Sequence, residues 1–437
     1  MENQKEVSQV ETNNKVILHS NRMDIVQNFK NSDKDKASFI CNSKALKNEL
    51  KKISGLITNK APLPILEYFK VNVLKGRVVF HASNLENCGK VTIDCETIGT
   101  GKFCISAKLL MEYLTTIQDC NIIIAAKFSK EEVIERDDKG EAKEINTIEN
   151  VVIQIGRNGG NLATWQGEST DDYPIWKSPK IKRKTIEINS NFLKEGLERT
   201  IKYCGKDDLR PAMTGINIEV ENETIKFVST DAHKLAVQIL HKRERNFKTF
   251  GFDKTSFIIP QSGAKILINC FKSSNVLTEM YLYKNSLTVS FDNVRFKIRL
   301  IDDKYPNYNA VIPSDNDKIL YVNRKELISA LKMVAISTNK ATNQIRFALN
   351  RVCELTAQDL DFNLEQKEFV KDFCFSQNEL FEIAFNGKFL TEILSDISTE
   401  YVNIEMSKPN RAALVVPVEL NRHTLNMNLL MPVLINS

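Results

Sequence analysis

The chain has 437 residues, 42% hydrophobic and 26% charged, with a net charge of only +5. At roughly 100–200 residues per domain that length suggests two to four domains, and the composition can fill real cores. It excludes a membrane-spanning helix, since no run approaches about eighteen apolar residues, and it excludes a chain coated in positive charge, so any nucleic-acid-binding charge must be concentrated on one surface.

Residues 1–36 are polar and rich in Asn, Lys and Asp, which predicts a disordered N-terminal extension without the apolar core of a signal peptide. The nine cysteines are odd in number, irregularly spaced and free of CxxC pairs, as expected of reduced thiols in a cytoplasm.

The first ordered segment, "FICNSKALKNELKKI" (39–53), reads as a short apolar strand, an Asn cap and a helix with Leu46 and Leu50 on one face. A second helix follows in "CISAKLLMEYLTTI" (104–117). Between and after them, "RVVFHASN", "VTIDCETIG" and "VVIQIGRNG" alternate with period two, as antiparallel strands with one wet face do. Residues 129–150 are a charged insertion around a D-D-K-G turn, predicted to be an extended hairpin with a mobile tip. "STDDYPIWKSPKIKRK" (169–184) closes the unit.

The pattern then returns. "IEINSNFLKEGLERT" (186–200) places Asn189, Leu193 and Leu197 at the offsets of Asn42, Leu46 and Leu50; "LYVNRKELISALKMV" (320–334) does so with Asn323, Leu327 and Leu331. The second helix recurs in "IIPQSGAKILINCF" (258–271) and "IAFNGKFLTEILSDI" (383–397), and "IDDKYPNYNAVIPSDNDK" (301–318) repeats the D-D-x-Y-P linker. A domain-sized unit therefore occurs three times. The expected organisation is an extension at 1–36 and three α+β domains at 37–180, 181–315 and 316–437, each with helices packed on antiparallel sheet.

The six predicted helices (43–57, 106–117, 190–203, 261–272, 324–335 and 386–397) carry +7 between them, leaving −2 for everything else. Lys44, Lys47, Lys51, Lys194, Arg199, Lys202, Lys265 and Lys332 supply much of that excess. A common basic surface of this kind suits phosphates and is indifferent to base sequence. The helices lack interleaved aromatics for stacking single strands, so duplex backbone is the expected target.

One stretch invites a catalytic reading: in "STDAHKLAV" (229–237), Asp231 and His233 stand two residues apart at a strand end. With five histidines, no HxxxH or HExxH, no Cys/His zinc spacing, no Gly-x-Ser-x-Gly and no P-loop, nothing else supports an enzyme, a metal or a cofactor.

These segments resemble the bacterial DNA sliding clamp family, the beta subunit of DNA polymerase III. "APLPILEYFKVNV" (61–73) is similar to the family's L-P-I-L strand, and "STDAHKLAV" to its T-D-G-H-R-L-A. "DDKYPNYNAVIP" (302–313), "AISTNKATNQIRFAL" (335–349) and "LLMPVLINS" (429–437) resemble its Y-P-x-Y, L-S-N-E-K and C-terminal motifs. The resemblance implies crescent protomers of three domains that dimerise head to tail into a ring. Sheets would lie outside and helices would line a hole threaded by duplex DNA, with no catalytic group.

It also implies a hydrophobic pocket between the second and third domains, where polymerase, clamp loader and repair proteins dock linear peptides. Carried over by position, that pocket comprises Met213, Thr230, Ala232, His233, Lys234, Leu235, Pro306, Val311, Asn386, Phe389, Met431, Pro432, Val433 and Leu434. On the DNA side it adds Lys60, Lys206 and Arg210. The chain departs from the family where Ala232 replaces a Gly, Ala310 a basic residue and Leu434 an Arg, and where Pro211 and Ala212 replace an aromatic pair. Those departures keep two alternatives open: a specialised clamp paralogue, and a non-ring interaction scaffold of the same fold.

Overall fold

The computed structural model describes residues 36–435 apart from 59–60, 137–141, 158–160, 175–183, 222, 243–246, 252–253, 272–274 and 419–423; for 131–136, 142–149 and 424–425 it describes the backbone alone. The expected extension thus lies outside the described residues except for Lys36, which opens the first strand. The chain forms two compact units, Met1–Ile181 with Thr288–Ile298, and Lys182–Leu287 with Arg299–Ser437.

In the first unit the strand Lys36–Asn42 runs into helix α1 (Ser43–Ser54), whose first turn is capped by Asn42 accepting from the Ala45 amide at 2.9 Å. Leu46 and Leu50 are both fully buried, as their four-residue spacing demands of an amphipathic helix. Burying each contributes about 1.5–3 kcal/mol. Helix α1 stops at Ser54, three residues short of the predicted end, with Gly55 at the C-cap in a right-handed conformation (φ −64°). Helix α2 (Ala107–Thr116) packs against it.

Five antiparallel strands form one sheet in the order Glu96–Ile98, Lys36–Asn42, Asn121–Arg136, Ala142–Arg157, Asn161–Gly167. The insertion is the distal half of the Asn121–Arg136/Ala142–Arg157 pair, which stays in register out to Glu135↔Glu144; its turn at 137–141 lies outside the described residues. The strand Val294–Arg299 pairs with Asn87–Asp94, from Val294↔Val91 to Ile298↔Asn87, which is why residues 288–298 belong to this unit.

The second unit holds two further copies of the strand–helix pattern. Helices α3 (Ser190–Thr200) and α4 (Gln261–Cys270) pack on each other, as do α5 (Arg324–Val334) and α6 (Gly387–Asp396). Asn189 caps α3 and Asn323 caps α5 through their side-chain oxygens, and Leu193, Leu197, Leu327 and Leu331 are buried. Pro260, lacking a polar side chain, leaves α4 without a side-chain cap. Helix α3 lies close over its sheet: a Cβ at Gly196 would fall 2.5 Å from the Phe227 ring. Past Thr200 the helix tightens into a 3-10 turn, Ile201–Tyr203.

One nine-stranded antiparallel sheet runs through the unit. Its central junction pairs Lys234–His241 with Thr424–Leu430, in register from Lys234↔Leu430 to Leu240↔Thr424. Residues far apart in the chain are therefore neighbours at the place where the expected groove lies.

Candidate functional site

The turn between the strands Thr224–Thr230 and Lys234–His241 is built by its own polar side chains. Asp231 Oδ1 accepts from the His233 and Lys234 amides at 2.9 and 2.8 Å. Thr230 Oγ1 donates to the Lys234 carbonyl at 2.8 Å and accepts from the Ala232 amide at 3.1 Å. Asp231 is thus a turn former of the kind Asp commonly provides. Ala232 sits at φ 74°, so the left-handed conformation is retained although a side chain is present, at a cost of about 1 kcal/mol. His233 faces away from this network, its ring stacked on Phe389 with centroids 6.1 Å apart. The Asp-x-His pair is a turn former followed by a stacked ring.

Lys234 is the residue whose surroundings sequence reasoning did not foresee. It is only 5% exposed. Its ammonium donates to Glu392 Oε2 on α6 at 2.5 Å and lies over the rings of Tyr203 (5.2 Å) and Phe389 (4.9 Å). The Tyr203 hydroxyl donates to Asn428 at 2.9 Å, and burial, then Asp396 and Glu392, push its pKa well above the usual phenol range. A buried ammonium requires a counter-charge and π faces of this kind to offset its lost hydration. Nothing in the local pattern of 229–237 signals Tyr203 or Glu392 as partners.

The C-terminal segment closes over the turn. The Met431 amide donates to the His233 carbonyl, and the Val433 amide to the Ala384 carbonyl, both at 2.8 Å. Thr230, His233, Lys234, Phe389 and Met431 are thereby linked directly, with Val433 one strand away. Asn386 is occupied as the cap of α6, accepting from the Lys388 and Phe389 amides at 3.1 and 3.2 Å, and so fixes where Phe389 begins its turn. Met213 lies in the 3-10 turn Pro211–Thr214, its carbonyl accepting from Gly205. The family's aromatic pair has no counterpart in that turn, where Pro211 and a buried Ala212 stand instead.

Leu235 is 2% exposed and belongs to a core cluster with Val228, Tyr308 and Leu429, so it underlies the surface. Pro306 is half-buried, and its carbonyl accepts from the Tyr308 amide. Val311 and Leu434 stand out, 54% and 72% exposed, and Pro432 is half-buried.

The expected DNA-facing cations fall into two groups. On α1, Lys44 and Lys51 are exposed and Lys47 half-buried, while Lys52 is held by Glu49 at 2.8 Å. On and after α3, acids accompany the bases: Lys194–Glu198 at 3.8 Å, Arg199–Glu195 at 3.4 Å, Arg210–Asp207 at 3.0 Å, and Lys202 bonded to Asp396. Lys265 donates to Gln261 at 3.0 Å; Lys206 and Lys332 are exposed. Arg199, Lys202, Lys265, Glu195, Glu198 and Asp396 line one open groove of about 550 Å³. Lys60 lies outside the described residues. Among the described residues no group of three or more His, Cys, Asp or Glu is placed to hold a metal, and no helix is long and apolar enough to cross a membrane.

Comparison with known proteins agrees along the length of the chain. Residues 37–149 match the family model of the DNA polymerase III beta subunit N-terminal domain, 187–307 that of its central domain and 309–432 that of its C-terminal domain. The chain is 23% identical to the beta sliding clamp of Haemophilus influenzae over 357 residues, 81% of this chain and 89% of that one. It is 23% identical to that of Chlamydia muridarum over 370 residues, covering 84% and 92%. Among solved structures, the Pseudomonas aeruginosa sliding clamp bound to griselimycin superposes with a TM-score of 0.77 at 22% identity, covering 91% of this chain and all of that one. The Thermotoga maritima beta subunit superposes at 0.76 and 20%, covering 92% and all of that chain. Three family models in order, over most of the chain and on three copies of one α+β pattern, make this protein a member of the DNA polymerase III beta subunit family, the bacterial sliding clamps.

Proposed function

We propose that the protein works as a processivity factor: a head-to-tail homodimeric ring of three-domain protomers (37–180, 181–315 and 316–437) that encircles duplex DNA and tethers the replicative polymerase. The observation that carries this reading is the succession of the three clamp domain models along the chain. No chemistry is asked of the protein. Holding is topological, and the helical surface need only make weak, sequence-blind contacts with phosphates so that the duplex slides. The exposed lysines of α1 support this role directly. The cations around α3 sit in partly exposed ion pairs, with the Lys194 and Arg199 side chains 25% and 32% exposed, which solvent still screens, so they can exchange carboxylate for phosphate at small cost.

The same reading makes the surface around His233, Phe389, Met431 and Val433 the docking groove for linear peptides of polymerase, clamp loader and repair proteins. The adaptable Met213 and Met431 side chains suit a groove that takes several partners. It also places the protein in the cytoplasm, without cofactor or metal.

The test is assembly followed by topology. Light scattering at several concentrations should give a mass near twice the 49.8 kDa protomer that persists on dilution. The protein should then be retained on closed circular duplex and lost when the circle is cut. A stable monomer, or retention indifferent to cutting, would overturn the ring reading.

A further inference from the structure

A second recess in the second unit is lined by none of the residues 230–235. Its volume is about 480 Å³, and it is enclosed by the strands Gly215–Glu221 and Lys254–Pro260 and by the segment 300–309. Along Gly215–Glu221, Ile216, Ile218 and Val220 face the core, so Asn217 and Glu219 project from the opposite face into this recess.

Asn217 is 2% exposed. Its amide nitrogen donates to Glu219 Oε1 at 3.1 Å, but its Oδ1 accepts from nothing among the described residues. A buried carbonyl without a donor has lost its hydration with nothing in return, so a native structure that retains one invites a donor from outside. Beside it, Glu219 Oε2 accepts from the Tyr308 hydroxyl at 2.9 Å and keeps acceptor capacity to spare. Phe257, Tyr305 and Tyr308 supply aromatic walls. Among the charged lining residues, Glu219, Asp302 and Asp303 outweigh Lys284 and Lys304.

We infer that this recess is a binding site for a guanidinium group, the side chain of an arginine. The orphan amide oxygen and the carboxylate are adjacent acceptors on one strand, which a planar fork of N–H donors can serve together, and the aromatic walls suit its faces. An ammonium offers neither the fork nor the flat face. Pro306, a residue of the expected groove, also lines the recess, so an arginine flanking a docked partner segment is its natural bearer. That last step rests on the groove reading; the site itself does not.

The full-length protein should be titrated with N-acetyl-arginine methylamide and, as the neutral isostere, N-acetyl-citrulline methylamide, by saturation-transfer NMR. The arginine probe should bind about ten-fold tighter or better, as a charge-assisted bond predicts. Glu219→Gln should remove most of that preference, and Asn217→Ala should weaken binding of the arginine probe. If Asn217→Ala fails to fold, Glu219→Gln alone decides. Equal binding of the two probes, no binding of either, or a preference that survives both substitutions would leave the recess to water and overturn the inference. Because the probes are free amino-acid derivatives, a failure of peptide docking elsewhere leaves this result intact.

Discussion

The Lys234–Glu392 pair ties a strand of the second repeat to a helix of the third, and its energetics can be worked through. Lys234 is 5% exposed, whereas the Glu392 side chain is 51% exposed, so only one partner has surrendered its hydration. Losing the counter-charge of a buried pair costs about 3–5 kcal/mol when both ions are enclosed. With one partner half in water, the expected cost of Glu392→Gln is about 1–2 kcal/mol, since the amide oxygen still accepts and the Tyr203 and Phe389 rings remain. Lys234→Met keeps the volume and removes the need for a partner; it should change stability by less than about 1 kcal/mol. In the double variant the glutamine no longer leaves a buried charge uncompensated, so the two effects should fail to add by about 1–2 kcal/mol. Urea denaturation at one fixed protein concentration, followed by fluorescence, measures all four corners of the cycle; fixing concentration matters because assembly stabilises the fold. Additivity within about 0.3–0.5 kcal/mol would refute the reasoning and leave the ammonium held by the rings alone.

Other perturbations follow from the same geometry. Ala232→Gly relieves a side chain at positive φ and should raise stability by about 0.5–1 kcal/mol in the same assay, with unchanged or lower stability counting against a strained turn. Deleting residues 431–437 should abolish capture of a polymerase-type peptide while leaving the assembled mass unchanged; it is a cleaner test than Leu235→Asp, which would place a carboxylate in a core cluster. Reversing Lys44, Lys47 and Lys51 to Glu should reduce retention on circular DNA and its salt dependence more than reversing Lys194 and Arg199, which already have acidic neighbours. Burial, reinforced by Lys90 and Lys70, lowers His81 from 6.5 to about 4. Between those values the unfolded chain binds the extra proton, so stability should be full above about pH 6.5 and fall as pH drops toward about 4, by on the order of 1–3 kcal/mol. His81→Gln should flatten that fall, and parallel profiles for the two proteins would exclude His81 as its cause.

What could be read in the sequence was local in origin. Asn42, Asn189 and Asn323 cap helices because an Asn oxygen reaches amides two or three residues ahead wherever the chain enters a helix. The leucine pairs are buried because four residues bring a helix back to the same face. Repetition of those two signals at domain spacing announced three copies of one α+β unit, and the Thr-Asp-Ala-His stretch was legible as a strand end, while the return of the Asp231 side chain onto the His233 and Lys234 amides appeared only in the structure. Helix ends were less legible, since α1 stops at Gly55 and α3 passes into a 3-10 turn under the influence of the packing around them.

Tertiary structure decided the rest. Lys234 was legible as a position, but its partner Glu392 is 158 residues away and becomes one only because α6 packs near the strand Lys234–His241. Leu235, one apolar residue among several in its strand, is core because Tyr308 and Leu429 close over it. Asn217 reads as one polar residue in an alternating strand; that its oxygen is buried without a donor depends on how the segment 300–309 covers the sheet. Periodicity and capping are set by bonds a few residues long and so are written in the sequence. The choice of charge partner, and of which polar atom is left wanting, is made by surfaces that meet only after the chain has folded.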